Sequence, residues 1–169
     1  MDWRMKPEVT ADGSSVYSAG SDSNSHYVVK SGTSMSSPSA AGSSLLLQEH
    51  YANLNNNDLM LSATLKALLI NTTRETGPTE GPDFIFGFGL LNIAASADAI
   101  DQNGISTNIS ELALANGETY QQTVTSNGVS PVTVTIVWTD PKGPEGTGRS
   151  SVLVNDLDLR LVDSQQGET

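Results

Sequence analysis

The 169-residue sequence has no cysteine, few basic residues and no long apolar run. Without cysteine, the chain can form neither a disulfide framework nor a thiolate metal site. Its 8 Lys and Arg residues are outnumbered by 19 Asp and Glu residues, which gives a formal net charge of -11 at pH 7. Nucleic acids and anionic membranes both bind clusters of basic side chains, and no such cluster is present. We therefore expect neither a nucleic-acid partner nor a membrane partner.

The apolar runs are also short, only a few residues each, as at Leu45–Leu47 and Leu68–Ile70. A transmembrane helix needs about 20 consecutive apolar residues, so no segment is expected to cross a bilayer. Residues 1–13, MDWRMKPEVTADG, lack the apolar stretch of a secretory signal peptide. The length is typical of one domain, or of one domain and part of another.

Composition changes near residue 105, and we predict two domains, 1–104 and 105–169. The first is rich in helical patterns. A helix over 38–51 would begin at Pro38, which a first helical turn tolerates, and Ala41 and Leu45 would share one face. A second helix is predicted over 62–71 from leucines at helical spacing, namely Leu61, Leu65, Leu68 and Leu69.

The end of the first domain contains loop and capping signals. Residues 76–83 hold two glycines and two prolines and are predicted to form a loop. Gly87 and Gly89 predict a tight connection where backbone segments approach closely. Asn92 is a candidate N-cap for a short helix over 93–100.

The second domain is predicted to be an incomplete antiparallel β-sandwich or jelly-roll. Residues 132–138 alternate between two faces, as a half-buried strand does, and 117–126 and 153–163 predict further strands. The last residues predict a hairpin turn without its return strand. Only about 60 residues are available, against roughly 100 in a typical sandwich.

Oxygen-bearing side chains cluster near the predicted ends of these strands, at Asp140, Asn155, Asp156 and Asp158. Calcium takes six to eight oxygen ligands of this kind, so a structural calcium site is one interpretation. The alternative is a solvated acidic surface.

The segment SGTSMSSPSAAG, Ser31–Gly42, places Ser34 just before a predicted helix. A serine at a helix N-terminus projects its hydroxyl from the end of the helix. Its N–H is one of the unpaired donors there and could bind an oxyanion. From these local features alone, an ordinary helix cap is the alternative.

The longer string Gly32-Thr33-Ser34-Met35-Ser36-Ser37-Pro38 resembles the nucleophile motif of subtilisin-like serine proteases, Gly-Thr-Ser-Met-(Ala/Ser)-x-Pro. Other segments resemble that family in the same order along nearly the whole chain. They are MKPEVTADG (5–13), LKALLINTT (65–73), FGFGLLNIAAS (86–96), and TVTIVWTDP (133–141) with SVLVNDLDLRL (151–161), the last two resembling a C-terminal β-barrel of a bacterial subgroup.

Three positions depart from the family pattern. Glu8 replaces the usual aspartate, and Ser39 replaces a histidine that many members carry. Asp12 replaces a proline before Gly13, which predicts a looser turn, because proline restricts the backbone and aspartate does not. None of these changes removes Ser34.

The resemblance implies an α/β subtilisin-like catalytic domain in which Ser34 is the acyl-enzyme nucleophile and its N–H an oxyanion donor. It also implies a polypeptide substrate, a secreted location and a family in which calcium sites are common. Subtilisin-type chains run Asp, then His, then Ser. This sequence therefore resembles the C-terminal part of such a domain and is expected to be inactive alone.

A serine nucleophile needs a hydrogen-bonded base, usually histidine. His50 follows Ser34 by 16 residues, which is about 24 Å along a continuous helix. His26 lies eight residues before Ser34, with Asp22 as the one carboxylate nearby in sequence. We expect neither histidine to be the base.

Two other interpretations stay open. The chain could be a non-catalytic module whose β-region binds calcium, glycan or protein, with a vestigial Ser34. It could also be a piece without an independent role, in which case its unpaired strand edges would favour self-association.

Overall fold

A computed structural model of the chain describes residues 5–143, 145, 153–163 and 167–168. The chain divides into two units. One comprises Met5–Thr135, and the other includes Ile136–Thr169. The predicted boundary at residue 105 lies within the first unit, and the assignment of a peptidase domain and a β-domain stays a prediction.

The first unit consists of a hairpin followed by three helices. Strands β1 (Val16–Ala19) and β2 (Tyr27–Lys30) pair antiparallel. The helices are α1 (Thr33–Leu54), α2 (Ser62–Asn71) and α3 (Ile93–Asp101). None of the helices in the described residues is both long enough and apolar enough to cross a membrane.

Helices α2 and α3 confirm the bounds predicted from the sequence to within one residue. Asn92 caps α3, since its side-chain oxygen accepts the N–H of Ala95 at 3.2 Å. Helix α1, in contrast, begins at Thr33, well ahead of the predicted start at Pro38. Proline removes one N–H and so one i to i−4 hydrogen bond, and the first turn forms despite that loss.

The core of the first unit lies between the three helices. Its buried apolar side chains are Leu47, Met60, Leu68 and Ile100. The face of α1 that contributes to this core carries Leu47 and the partly buried Tyr51. Leu45, which we predicted to share one face of the helix with Ala41, is 72% exposed. The periodicity identified a helix correctly, but which of its faces is covered depends on the neighbouring elements.

Three backbone segments meet where the chain passes through residues 86–91. Thr10 donates its N–H to the carbonyl of Gly89 at 3.0 Å, and Leu91 donates back to the carbonyl of Thr10 at 2.9 Å. On the other side, Leu90 and Arg74 exchange two backbone hydrogen bonds of 2.8 and 2.9 Å. We call this arrangement the backbone crossing, and it joins the start of the unit to the end of α2.

Gly87 and Gly89 make the backbone crossing possible, as their predicted role requires. Their φ angles are 66° and 121°, which side chains rarely adopt. A Cβ on Gly87 would lie 2.2 Å from the Pro7 carbonyl oxygen, and one on Gly89 would lie 2.4 Å from that of Arg74. These are backbone atoms, so neither clash can be relieved by rotating a side chain.

Glu8 adds a side-chain contact next to the same crossing. Its carboxylate pairs with the ammonium groups of Lys6 and Lys66, the latter at 2.8 Å. The Lys6 hydrogen bond, followed by that of Lys66, lowers the pKa of Glu8 to about 2. The carbonyl of Glu8 also accepts the N–H of Phe88 at 2.8 Å. Glu8 therefore ties the first residues of the unit both to α2 and to the crossing.

The second unit contains one short hairpin, in which β3 (Val162–Asp163) pairs antiparallel with β4 (Gly167–Glu168). We had expected a hairpin turn without its return strand, but β4 is a return strand paired with β3, and the residues of the predicted turn between them, 164–166, lie outside the described residues. Self-association through strand edges stays a prediction.

The strands predicted at 117–126 and 132–138 are not observed, and of the strand predicted at 153–163 only Val162–Asp163 forms. Between 108 and 161, no described residue belongs to a strand. Alternation defines two faces of a strand but supplies no hydrogen-bonding partner, and a strand needs one. The sandwich or jelly-roll is therefore not confirmed.

Adding a methyl group at the backbone crossing should be far more harmful than adding one on α1. We expect Gly87→Ala or Gly89→Ala to lower the free energy of unfolding by about 2–4 kcal/mol through clash and strain. Gly42→Ala is the matched control, because its Cβ would meet nothing and alanine favours a helix by about 0.5–1 kcal/mol. Urea titrations measure all three variants, and equal losses would contradict this account of the crossing.

The Glu8 ion pairs should make stability depend on pH. Because the folded state lowers the pKa of Glu8 from 4.5 to about 2, the contribution is complete above pH 4.5 and is lost as pH falls towards 2. For two exposed ion pairs we expect about 1 kcal/mol. Unfolding midpoints across this window should show a smaller slope for Glu8→Gln than for the parent chain or the surface control Glu49→Gln. An unchanged slope in Glu8→Gln would refute the assignment.

Candidate active site

The loop before Ser34 is held by backbone contacts to the start of the unit. Gly32 is the N-cap of α1 and has a φ of 151°, which disfavours any side chain. Its N–H binds the carbonyl of Gly13 at 2.8 Å, and its own carbonyl accepts the N–H of Met35 at 2.9 Å. The glycine of the Gly-Thr-Ser motif is thus the residue that starts the helix.

The turn at Asp12 is restrained rather than loose. The Asp12 carboxylate accepts the N–H of Ser14 at 3.0 Å. One residue further, the N–H of Ser15 binds the hydroxyl of Ser31 at 2.8 Å. We expected a looser turn because Asp12 stands in the place of a proline. The side-chain hydrogen bond of Asp12 supplies a restraint in place of the proline ring.

Ser34 is the second residue of α1, and its side chain is exposed. Within the described residues, neither its hydroxyl nor its N–H has a hydrogen-bond partner. The cap position belongs to Gly32, and no side chain caps α1. The alternative of an ordinary serine cap therefore does not describe Ser34, whose hydroxyl and N–H are both free to meet a ligand.

Ser34 lines a cleft of about 230 Å³ between the hairpin and the start of α1. Val16 lies opposite Lys30 in the register of the hairpin, and Ser18 lies opposite Val28. These alternate positions share one face of the hairpin. The cleft is lined by that face, by Ala19 at the end of β1 and by α1, namely by Val16, Ser18, Ala19, Val28, Lys30, Ser34, Met35 and Pro38.

The hairpin is the part of the site that sequence reasoning missed. Its other face carries Tyr17 and Tyr27, whose rings stack with centroids 5.2 Å apart. The runs VYSA and YVVK, separated by a short polar loop rich in serine, are typical of a hairpin. Each run has only four residues, so the alternation is short and easily overlooked.

His50 is engaged away from Ser34, and the expectation that His26 is not the base stays a prediction. His50 Nε2 lies 2.8 Å from Asp101 Oδ1 and so links α1 to the end of α3. His26 lies in the hairpin loop, with its Nδ1 3.4 Å from Asp22 Oδ2. That contact is within ion-pair range but does not meet hydrogen-bond geometry. His26 Nδ1 is therefore buried without a hydrogen-bond partner. We treat the contact with Asp22 as a loose one.

The second unit brings together two of the four predicted calcium ligands. Asp140 accepts the N–H of Val154 at 2.8 Å, the N–H of Asn155 at 3.0 Å and the side-chain amide of Asn155 at 2.8 Å. These bonds, that of Val154 above all, lower the pKa of Asp140.

Asp156 and Asp158 do not complete a metal site with Asp140. No three acidic, histidine or cysteine side chains converge as a metal site in the described residues, and both Asp140 oxygens already accept hydrogen bonds. Calcium at Asp140, Asn155, Asp156 and Asp158 stays a prediction.

Known proteins are similar to this chain in sequence and in structure. The profile of the subtilase family matches residues 1–89. The PII-type proteinase of Lactococcus lactis subsp. cremoris is 32% identical over 113 residues, covering 59% of this chain and 6% of that protein. A serine protease/ABC transporter B family protein of Dictyostelium discoideum is 25% identical over 232 aligned positions, covering 97% of this chain and 12% of that protein.

A solved structure, that of the Clostridium perfringens CspB protease, is similar with a TM-score of 0.54 and 26% identity. The similarity covers 60% of this chain and 22% of that one. The chain thus spans only a small part of the length of these relatives.

Proposed function

The chain belongs to the subtilase family, and from that membership we propose that it carries the nucleophile of a serine endopeptidase. The observation that supports this proposal most directly is the state of Ser34. It lies in the family-matched segment, at the first turn of a helix, exposed in a cleft, with no partner for its hydroxyl or N–H in the described residues.

In this proposal the Ser34 Oγ attacks the carbonyl carbon of a peptide bond in a polypeptide substrate. A base takes the hydroxyl proton, and the N–H of Ser34 donates to the oxyanion that develops on the carbonyl oxygen. The C–N bond then breaks, and the leaving amine takes the proton from the base. Water hydrolyses the ester on Ser34 by the reverse sequence of proton transfers.

The base and its orienting carboxylate come from residues beyond these 169. The engagement of His50 with Asp101 and the position of His26 in the hairpin loop support this. Lys30 lines the cleft, but a lysine acts as a base where burial removes its proton, and Lys30 is exposed.

Helix α1 supports an origin of the base in further polypeptide. Leu45 and Leu46 are 72% and 64% exposed, and exposed apolar faces of this kind are typical of surfaces that another chain segment covers. The chain alone is therefore inactive in this proposal. An extracellular location follows the same family resemblance and is part of the proposal.

A fluorophosphonate probe tests the role of Ser34, because it reacts with activated serine hydroxyls. We expect the full-length protein to be labelled, Ser34→Ala to lose the label, and the matched control Ser37→Ala to keep it. The 169-residue chain alone should react slower by about 10³-fold or more, because it lacks the base.

Each failure of the labelling test has a distinct meaning. Rapid labelling of the isolated chain at Ser34 would show that the base lies within these 169 residues. A full-length protein that stays unlabelled while folded would favour the alternative of a non-catalytic module with a vestigial Ser34.

Met35 predicts a sensitivity to oxidation. It follows Ser34 directly, lines the same cleft and is partly buried. Oxidation to the polar sulfoxide should lower kcat of the full-length enzyme by roughly 10-fold or more, because small displacements at the nucleophile are costly. Peroxide treatment with mass-spectrometric mapping measures this, and Met35→Leu is the control that should resist inactivation. Full activity with Met35 verified as the sulfoxide would rule the effect out.

A further inference from the structure

Lys30 differs from the other three lysines in having no acidic partner. Lys6 and Lys66 pair with Glu8, and Lys142 lies 3.9 Å from Glu145. No carboxylate in the described part of the chain pairs with Lys30, although the sequence contains 19 acidic residues. Its ammonium group is therefore available to a ligand.

The position of Lys30 places it in the cleft that Ser34 lines. Lys30 is the last residue of β2, and its cross-strand neighbour is Val16. Both line the cleft that Ser34 lines, and no other lining residue is charged. The remaining walls are mainly apolar, with Val28, Met35 and Pro38 among them.

We infer that Lys30 is a specificity-determining residue that binds an acidic side chain of the substrate, next to the peptide bond that Ser34 attacks. The inference rests on the proposed peptidase function and names its substrate class, peptides with Asp or Glu flanking the scissile bond. Because Lys30 is exposed, the ion pair is partly screened by water and its contribution is modest.

Long-range attraction cannot produce this preference. The net charge of -11 repels acidic peptides at a distance, so any preference for them must arise from a local contact. Added salt should therefore weaken the preference by screening the Lys30 contact. Salt should also ease the general repulsion of acidic peptides, and this second effect on their binding is opposite in sign to the first.

A binding experiment tests the inference without requiring catalysis. The 169-residue chain is titrated with C-terminally amidated peptides that differ only in Glu or Gln at one position, and amide shifts of Lys30 and Ser34 are followed by NMR. We expect about 3- to 10-fold tighter binding of the Glu peptide, as for a partly screened ion pair. Lys30→Gln should bind both peptides equally, and the control Lys142→Gln should retain the preference.

Kinetics of the full-length protein provide the second readout. Peptides with Glu at one flanking position should have a kcat/KM about 3- to 10-fold higher than peptides with Gln there. In Lys30→Glu, peptides with Lys at that position should become the preferred substrates. The preference should disappear in Lys30→Gln, while the control Lys142→Gln should keep both the preference and the fluorophosphonate labelling of Ser34.

The outcomes separate this inference from the proposed function. Equal binding of Glu and Gln peptides by the parent chain, or a preference that survives in Lys30→Gln, overturns the role of Lys30 even if Ser34 is labelled. Failure of labelling with a retained Lys30-dependent binding preference overturns catalysis and leaves the cleft as an acidic-peptide site.

Discussion

The backbone crossing at residues 86–91 is the contact on which the position of Ser34 depends. It fixes Thr10 between main-chain partners, and three residues later Gly13 receives the N–H of Gly32, where α1 starts. Every link is a hydrogen bond between main-chain atoms, and the approach is close enough that a Cβ at Gly87 or Gly89 would clash. Ser34 is thus positioned through the backbone, while the apolar core supports α1 about three to four turns farther along, at Leu47.

In the proposed function, the site that results is one part of a catalytic centre. Ser34 offers a hydroxyl and an N–H, and the hairpin adds a cleft with a single cation. The chemistry that would activate the hydroxyl is not supplied by His50, whose bond to Asp101 instead ties α1 to α3. His50 therefore serves the packing of α1 against α3 rather than the activation of a serine. In the proposed function, the exposed Leu45 and Leu46 of α1 form a face on which further polypeptide would fit.

Much of the helical structure could be predicted because its causes are local. Helix α2 follows from leucine spacing, and Asn92 caps α3 through an oxygen only three residues from its donor. Gly87 and Gly89 were identifiable because glycine tolerates conformations that other residues avoid. The start of α1 was placed too late at Pro38, because a helix loses only one bond to a proline near its N-terminus. Alternation at 132–138 suggested a strand, but no described segment pairs with it.

By itself, the sequence singled out Ser34 as the proposed nucleophile, and it determined the scarcity of positive charge and the helices whose capping and spacing are encoded within a few residues. Only the tertiary structure decided that Lys30 shares a cleft with Ser34 and that Leu47 rather than Leu45 is buried. The reason is physical. Contacts between residues three or four apart follow from helix geometry, whereas strand register and the burial of a helix face depend on partners distant in sequence.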